Sequence, residues 1–340
     1  MERVWHVLAT PVSALGGDRR TVRLAIVAFL VLYVGLAALA TWVDVPAYFA
    51  PTGRGTDAWT YLAAGQRLNA GHALYRLVPS DLPVPLAPPY GIPEPLSPPL
   101  LDVLWRPLVG FGGAALLAWW SLGILACAGL VGRLVMRGTM VTMVGVVAIV
   151  PSLVMTALSA NAYAFLIPAL GAAWWLRDRR PALAGALVAA AIAVKLSPVS
   201  LVVWLGVTRR WRALGAVVVA GLACVAVSIL GAGWSNTLEA ITAIRTTSAG
   251  GATRISIEHL TGIPSAVIFV IGLAVTALSG RYDRLSFVAA IATASLSTPI
   301  AYFGSFAVLA AALAPTTRDG GPSPTGWSLA HRLRRNSSSA

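Results

Sequence analysis

The sequence predicts an all-α fold, a polytopic bundle of transmembrane helices, and three observations predict it. Hydrophobic residues fill 57% of the 340 positions and charged residues only 11%, whereas a water-soluble domain carries roughly 25% charged residues. Mean hydropathy is +0.78, and the apolar residues gather into runs approaching the roughly 20 residues that a bilayer crossing requires. The basic residues behind the net charge of +13 stand in short clusters between those runs. That is where the preference of arginine and lysine for the cytoplasmic side of a membrane would put them, and it argues against nucleic-acid binding, which needs a continuous basic face.

Taken in order, Arg19, Arg20 and Arg23 place residues 1–23 in the cytoplasm before an apolar run at 24–43. That run exceeds the 7–15 residues of a signal-peptide core, so it reads as an uncleaved first span. Residues 44–98 form a first extracytoplasmic loop, too rich in proline and glycine for one long helix. Within it, Thr56 or Asp57 can cap a helix whose positions Tyr61, Leu62, Gly65 and Leu68 share an apolar face, and Gly71 supplies a stop. The expected position of this helix is along the outer membrane surface.

The segment 100–109, interrupted by Asp102, Arg106 and Pro107, reads as re-entrant or interfacial, and 113–132 as a full span. Arg133 and Arg137 mark a return inside. Residues 139–158 and 163–176 are an out-and-back pair joined near Ser159-Ala160-Asn161. The run 182–207 then lies between two basic clusters, Arg177 to Arg180 and Arg209 to Arg212. One crossing cannot leave both clusters inside, so a hairpin of two short helices is expected, with its turn at Lys195-Leu196-Ser197-Pro198, where proline removes a helical donor. About a dozen residues per arm span some 18 Å.

Residues 213–232 cross outward, and 233–262 form a second outer loop containing Glu239, Arg245, Arg254, Glu258 and His259. Spans at 263–279, 285–298 and 300–314 complete a single membrane domain over 24–314. Residues 315–340 read as a disordered cytoplasmic tail, with too little apolar surface to fold alone. The total is about eight full spans, a short hairpin and an interfacial helix. Cys127 and Cys224 both fall in apolar runs and read as packing residues.

Three features carry possible chemistry. Asp57, in the first turn of the loop helix at the lipid–water boundary, serves either as a helix cap or as a general base. Asp102 and Arg106, four residues apart, suit a structural ion pair, with Arg106 a reserve phosphate ligand. Lys195, the only lysine in the chain, either binds an anionic ligand or snorkels to lipid headgroups, because an unpaired ammonium in an apolar run is costly. No Walker-type loop, HExxH helix or GxSxG elbow is present, so ATP-driven, zinc-hydrolase and serine-hydrolase chemistry find no support.

Together these residues resemble a known family. Asp57 with Tyr61, Ala64, Gly71 and Tyr75 resembles the first-loop signature Asp...Tyr...Ala...Gly...Leu-Tyr of glycosyltransferase family 87 (GT87). These are GT-C type enzymes that use polyprenyl-phosphate sugars and include mycobacterial α-(1→2)-mannosyltransferases. Ser97-Pro98-Pro99 with Trp105 and Pro107 resembles its Tyr-Pro-Pro segment, Ser159-Ala160-Asn161 its Gly-Gln-Asn turn, Lys195-Leu196-Ser197-Pro198 its Lys-x-x-Pro hairpin, and Ser297-Thr298-Pro299-Ile300 its late Ser-Pro-Ile segment. Three positions depart from the pattern: Ser97 replaces Tyr, Ala160 replaces Gln, and Ala301-Tyr302-Phe303-Gly304 replaces the frequent Trp-x-His-His.

The resemblance implies transfer of a hexose, mannose first, from a polyprenyl-phosphate donor to an envelope glycolipid or lipoglycan on the outer face of the cell membrane. Inversion is expected, with no metal and no cofactor. Asp57 would be the general base. Lys195, Arg106 and Arg254 would bind the donor phosphate, and Tyr61, Tyr75, Pro98, Asn161, Pro198 and His259 would line the substrate site. An arabinofuranosyl donor is the alternative within the family. Outside it stand a non-enzymatic lipid-carrier transporter, which has no need of a fixed carboxylate in an outer loop, and a silent scaffold, suggested by the missing histidines.

Overall fold

The structure is a computed structural model describing residues 56–75, 97–249, 256–298 and 303–317. The first span, most of the first loop, Arg254, the segment 299–302 and the tail after 317 lie outside the described residues. Within them the fold is helical, with one isolated bridge between Gly138 and Thr317.

α1 (Thr56–Asn69) ends as its sequence requires. Gly71 adopts φ +77°, a conformation that other residues enter at a cost, and the His72 amide closes the end by donating to the Arg67 carbonyl. Tyr61, Leu62 and Leu68 are buried. Their face packs into the bundle against α2 (Leu100–Trp105) and the 3-10 turn Arg106–Phe111, rather than lying free along a surface. Gly65 permits the contact, since a side chain there would press on the Trp105 backbone at 3.0 Å.

α3 (Gly113–Arg137), α4 (Met140–Leu158) and α5 (Tyr163–Leu176) run up, down and up again between the two ends of the bundle. α4 opens with a reciprocal capping box between Thr139 and Thr142, and Thr142 also bonds the Thr316 hydroxyl at 2.7 Å. Cys127 is buried, its thiol donating to the Ala164 carbonyl. α6 (Pro181–Val194), a 3-10 turn at Ser197–Val199 and α7 (Ser200–Val207) form the expected hairpin. α8 (Trp211–Ala232) packs along α6 through small residues, so closely that a side chain on Gly185 would lie 2.0 Å from the Ala213 carbonyl oxygen.

The stretch 233–262, expected as a loop, is largely helical: α9 (Trp234–Ala249) has no internal proline, and α10 (Ile257–Thr261) is capped by the Ser256 hydroxyl. α11 (Ser265–Leu278), α12 (Asp283–Leu296) and the pair α13 (Phe303–Ala307) and 3-10 Val308–Thr316 complete the chain.

Among the described residues three helices, α3, α4 and α8, are long and apolar enough to cross a membrane. Large side chains on them stand bare, including Val219 at 70% and Leu230 at 86% exposure, which is the surface of a membrane protein rather than of a soluble one. The count of eight full spans does not carry over. The first lies outside the described residues, and 163–176, 263–279, 285–298 and 300–314 became helices of 14 residues or fewer, or helices broken into 3-10 turns. Fourteen residues rise about 21 Å, short of the hydrocarbon thickness of about 30 Å. Charge clusters count reversals of the chain, but they do not set helix length.

The helix reversals give the bundle two chemically distinct ends. At one, Arg177, at the end of α5, and Arg210, before α8, converge on Asp283, the first residue of α12. Arg210 donates to both carboxylate oxygens at 2.7 and 2.9 Å, Arg177 Nε donates at 3.0 Å, and Trp204 Nε1 adds a bond at 2.9 Å. Trp174, Trp204 and Phe287 pack beneath, with Arg177 stacked 3.6 Å over Trp174. Burial alone would raise the Asp283 carboxyl, yet Arg210 and Arg177 hold it below the usual carboxylate value. A carboxyl depressed in the folded state stabilises the fold above its unfolded value of about 4, and that contribution disappears as pH falls through the folded value. The melting temperature in detergent should therefore fall on acidification below about pH 4. Asp283→Asn, which leaves buried Arg177 with Asp178 at 3.4 Å in place of the shared Asp283 carboxylate, should cost about 1.5–3 kcal/mol at neutral pH; an unchanged melting temperature would show that the lock contributes nothing.

Candidate active site

The opposite end collects the residues singled out by their chemistry. Asp57 stands half-buried in the first turn of α1, where the helix dipole favours an anion. Its Oδ2 accepts a hydrogen bond of 2.8 Å from Asn161 Nδ2, across 104 residues of sequence. The Asn161 amide cannot turn over, because its Oδ1 accepts the Tyr163 backbone N–H at 2.9 Å, so only Nδ2 can face the carboxylate.

The turn presenting Asn161 is strained. Ala160 takes φ +52°, and its carbonyl is held by Trp119 Nε1 at 2.9 Å. Left-handed backbone at a non-glycine residue costs about 1–2 kcal/mol and persists only where its surroundings enforce it. Here Ala160 is buried in a cluster with Ala58, Tyr61, Trp105 and Trp120. The Ala162 amide donates to the Tyr61 hydroxyl at 3.3 Å, which ties α1 to the same turn. Burial, with the Asp57 charge next, pushes the Tyr61 phenol well above its ordinary value, so it stays neutral.

Lys195 reaches this site from the hairpin. α6 ends at Lys195, whose backbone turns extended, and Pro198 is buried in the turn that follows. Its ammonium lies 5.5 Å from the centre of the Tyr163 ring, within cation–π range. The preceding Val194 packs against the cluster containing Ala58 and Tyr61. Asp57, Tyr61, Asn161 and Lys195 are thus gathered at one end of the bundle from α1, the α4–α5 turn and the hairpin tip, with Pro198 buried in the turn after Lys195. Tyr75 joins at the side: its hydroxyl donates to the Ser97 carbonyl at 2.7 Å, next to Pro98.

Other candidates are placed elsewhere. The expected Asp102–Arg106 pair does not form. Arg106 Nε donates to Asn69 Oδ1 at 2.9 Å and Nη1 to the Gly231 carbonyl, while Asp102 points into the bundle with neither oxygen hydrogen-bonded. Forty degrees separate the two positions around a helix, and Arg106 has better partners on the outer side. Asn69 lies at the far end of α1, about 18 Å along the helix from Asp57, and Gly231 near the end of α8. The His259 side chain is exposed on α10, where its backbone N–H meets the Ser256 cap. Arg254 lies outside the described residues. What the sequence did not disclose is Asp102 as part of the site. The available signal was its setting, one acid inside Leu-Leu-Asp-Val-Leu-Trp, which Arg106 four residues later obscured.

Residues 96–317 match the family model of glycosyltransferase family 87. The chain belongs to glycosyltransferase family 87. The match includes Asp102, Asn161 and Lys195 and begins after α1, the helix that carries Asp57. It ends at Thr317, where the Gly138 bridge and the Trp175 Nε1 bond at 3.1 Å fasten the chain to the arginine end. No curated protein and no solved structure matches the chain. Membership makes this protein a membrane glycosyltransferase, acting on a sugar donor and an acceptor.

If Asn161 orients Asp57 for that reaction, Asn161→Ala removes a hydrogen bond to a charged group, worth about 1.5–3 kcal/mol. Sugar transfer by membranes carrying the variant should then fall about 10–100-fold at equal protein level. Asn161→Asp, which sets a second carboxylate against the first, should be worse and should recover partly on acidification. Wild-type rates in both variants would remove Asn161 from the site.

Proposed function

We propose that this family 87 protein transfers a hexose, in first place mannose, from a polyprenyl-phosphate sugar to an envelope glycolipid or lipoglycan, with inversion at the anomeric carbon. The observation that carries the reading is the Asn161–Asp57 hydrogen bond, which supports a held carboxylate at the end of the bundle where Lys195 meets the Tyr163 ring. In this mechanism an acceptor hydroxyl gives its proton to Asp57 as its oxygen attacks the anomeric carbon from the face opposite the phosphate. The bond from that carbon to the phosphate oxygen breaks, and the electron pair leaves with polyprenyl phosphate beside Lys195. A lipid phosphate departs as an already stabilised anion, so the site has to supply only a base for the hydroxyl and a cation for the phosphate.

Orientation follows from charge. Arg133, Arg137, Arg177 to Arg180, Arg209, Arg210, Arg212, Arg281 and Arg284 belong to one end of the bundle, and positive residues are retained in the cytoplasm. The opposite end, with Asp57 and Lys195, then opens on the extracytoplasmic face of a multi-pass cell-membrane protein. Arg106, committed at the far end of α1, is a weaker phosphate ligand in this scheme than Lys195.

Purified protein, incubated with decaprenyl-phosphate-mannose and glycolipid acceptors, should yield a mannosylated product by mass spectrometry. Asp57→Asn should lower kcat about 10²–10⁴-fold, the usual worth of a general base. Lys195→Ala should chiefly weaken donor use. Transfer surviving in Asp57→Asn would remove the base assignment, and movement of labelled lipid without any transfer would favour a carrier.

A further inference from the structure

Asp102 is an acid at the site end to which the reaction above gives no task. It is fully buried on α2, and neither carboxylate oxygen meets a hydrogen-bond donor. A fold normally avoids such a group, because a buried charge without a partner is costly. The ionisable groups around it come from each element packed on α2. α1 brings Asp57, Tyr61 and Arg67, of which Arg67 donates to the Ala73 carbonyl. Arg106, at the start of the 3-10 turn, is held by Asn69 and Gly231. α8 brings Gly231 against Val103. Tyr75 comes from the loop after α1, and its phenol is raised by burial and by the Asp102 charge, which keeps it neutral.

α6 contributes Lys195. It packs on α2, and Val194 sits against the cluster holding Leu101 and Trp105, the residues flanking Asp102 in sequence and along the helix. Burial drives the Asp102 carboxyl well up, and Lys195 supplies the opposing pull.

We propose that Asp102 is the resident counter-charge of Lys195, and that an incoming lipid phosphate draws Lys195 away from it, so that Asp102 takes up a proton as the donor binds. This rests on the donor reading above, in which Lys195 meets the phosphate. The charges balance: the phosphate anion replaces the Asp102 anion beside the ammonium, and one proton from water neutralises the displaced carboxylate. Asp102 is then a positioning residue that acts through Lys195 and sets how donor affinity depends on pH.

The test is titration of the full-length protein in detergent with a farnesyl-phosphate-mannose diester and no acceptor, in buffers of different ionisation enthalpy. The diester carries one fixed charge, so any linked proton belongs to the protein. Wild type should take up about one proton per lipid above neutral pH, and its affinity should weaken by up to about tenfold per pH unit. Asp102→Asn, equal in size and uncharged, should bind more tightly at alkaline pH with no proton uptake. Asp102→Leu should show the same loss of pH dependence, which guards against a failure specific to a buried amide. Asp57→Asn should keep the proton uptake, and its loss there instead would assign the linked proton to Asp57 and overturn the counter-charge. Uptake unchanged in both Asp102 variants, or wild-type binding without a linked proton at any pH at which the protein stays folded, would overturn the counter-charge alone. A diester that does not bind the wild-type protein at all would overturn the donor reading and this inference with it.

Discussion

The position of everything at the site end depends on the Asp283 lock at the other. α6 and α7 are too short to cross a membrane, so the place of their tip is set by where their base is held. Asp283 holds that base by accepting from Arg177 before α6, from Trp204 within α7 and from Arg210 after it. A surface ion pair of this kind would contribute little. This one lies over three packed aromatic rings with Arg177 buried, so removing one partner would strand a charge in a poorly solvated place. The close seat of α6 on α8 at Gly185 then carries the constraint up the hairpin to Lys195.

Each reactive group at the far end sits where a helix starts or stops. Asp57 is in the first turn of α1, Asn161 precedes α5, and Lys195 follows α6. Helix interiors in an apolar bundle have their backbone groups satisfied and leave little room for polar side chains. Helix ends have spare donors and acceptors, and the protein uses them: the Ala162 amide meets Tyr61, and the Tyr163 amide fixes Asn161. The strained Ala160 is the local cost of turning the chain tightly enough for that.

Legibility in the sequence followed the strength of the underlying constraint. The hairpin could be read because two basic clusters on either side of one apolar run leave no other solution, and the structure has it with Lys195 at the tip. α1 could be read from its apolar face and Gly71. Asp57 and Asn161 could be named singly, but their bond could not, because it joins residues 104 apart. The count of eight full spans is not confirmed, because charge clusters report reversals and leave open whether an apolar run of 14 residues is a full crossing. Asp102 was misassigned because spacing along one helix shows which partners are possible, not which tertiary partners win. Arg106 was won by Asn69 and Gly231, from α1 and α8.

A single lysine backed by a buried acid also suits the energetics of the proposed reaction better than a nest of arginines would. An enzyme gains rate only from interactions that strengthen between bound substrate and transition state. As the sugar departs, the phosphate goes from one negative charge toward two, so a cation beside it gains attraction during the reaction. A strongly positive pocket would hold the intact donor tightly and the doubly charged lipid phosphate more tightly still, and product release would slow. With Asp102 behind it, Lys195 offers modest attraction to the donor's single charge and a larger gain as the second develops. On this argument the acid's lack of hydrogen bonds has a use: a carboxylate anchored by donors would keep its charge, whereas Asp102, held by burial alone, can give it up.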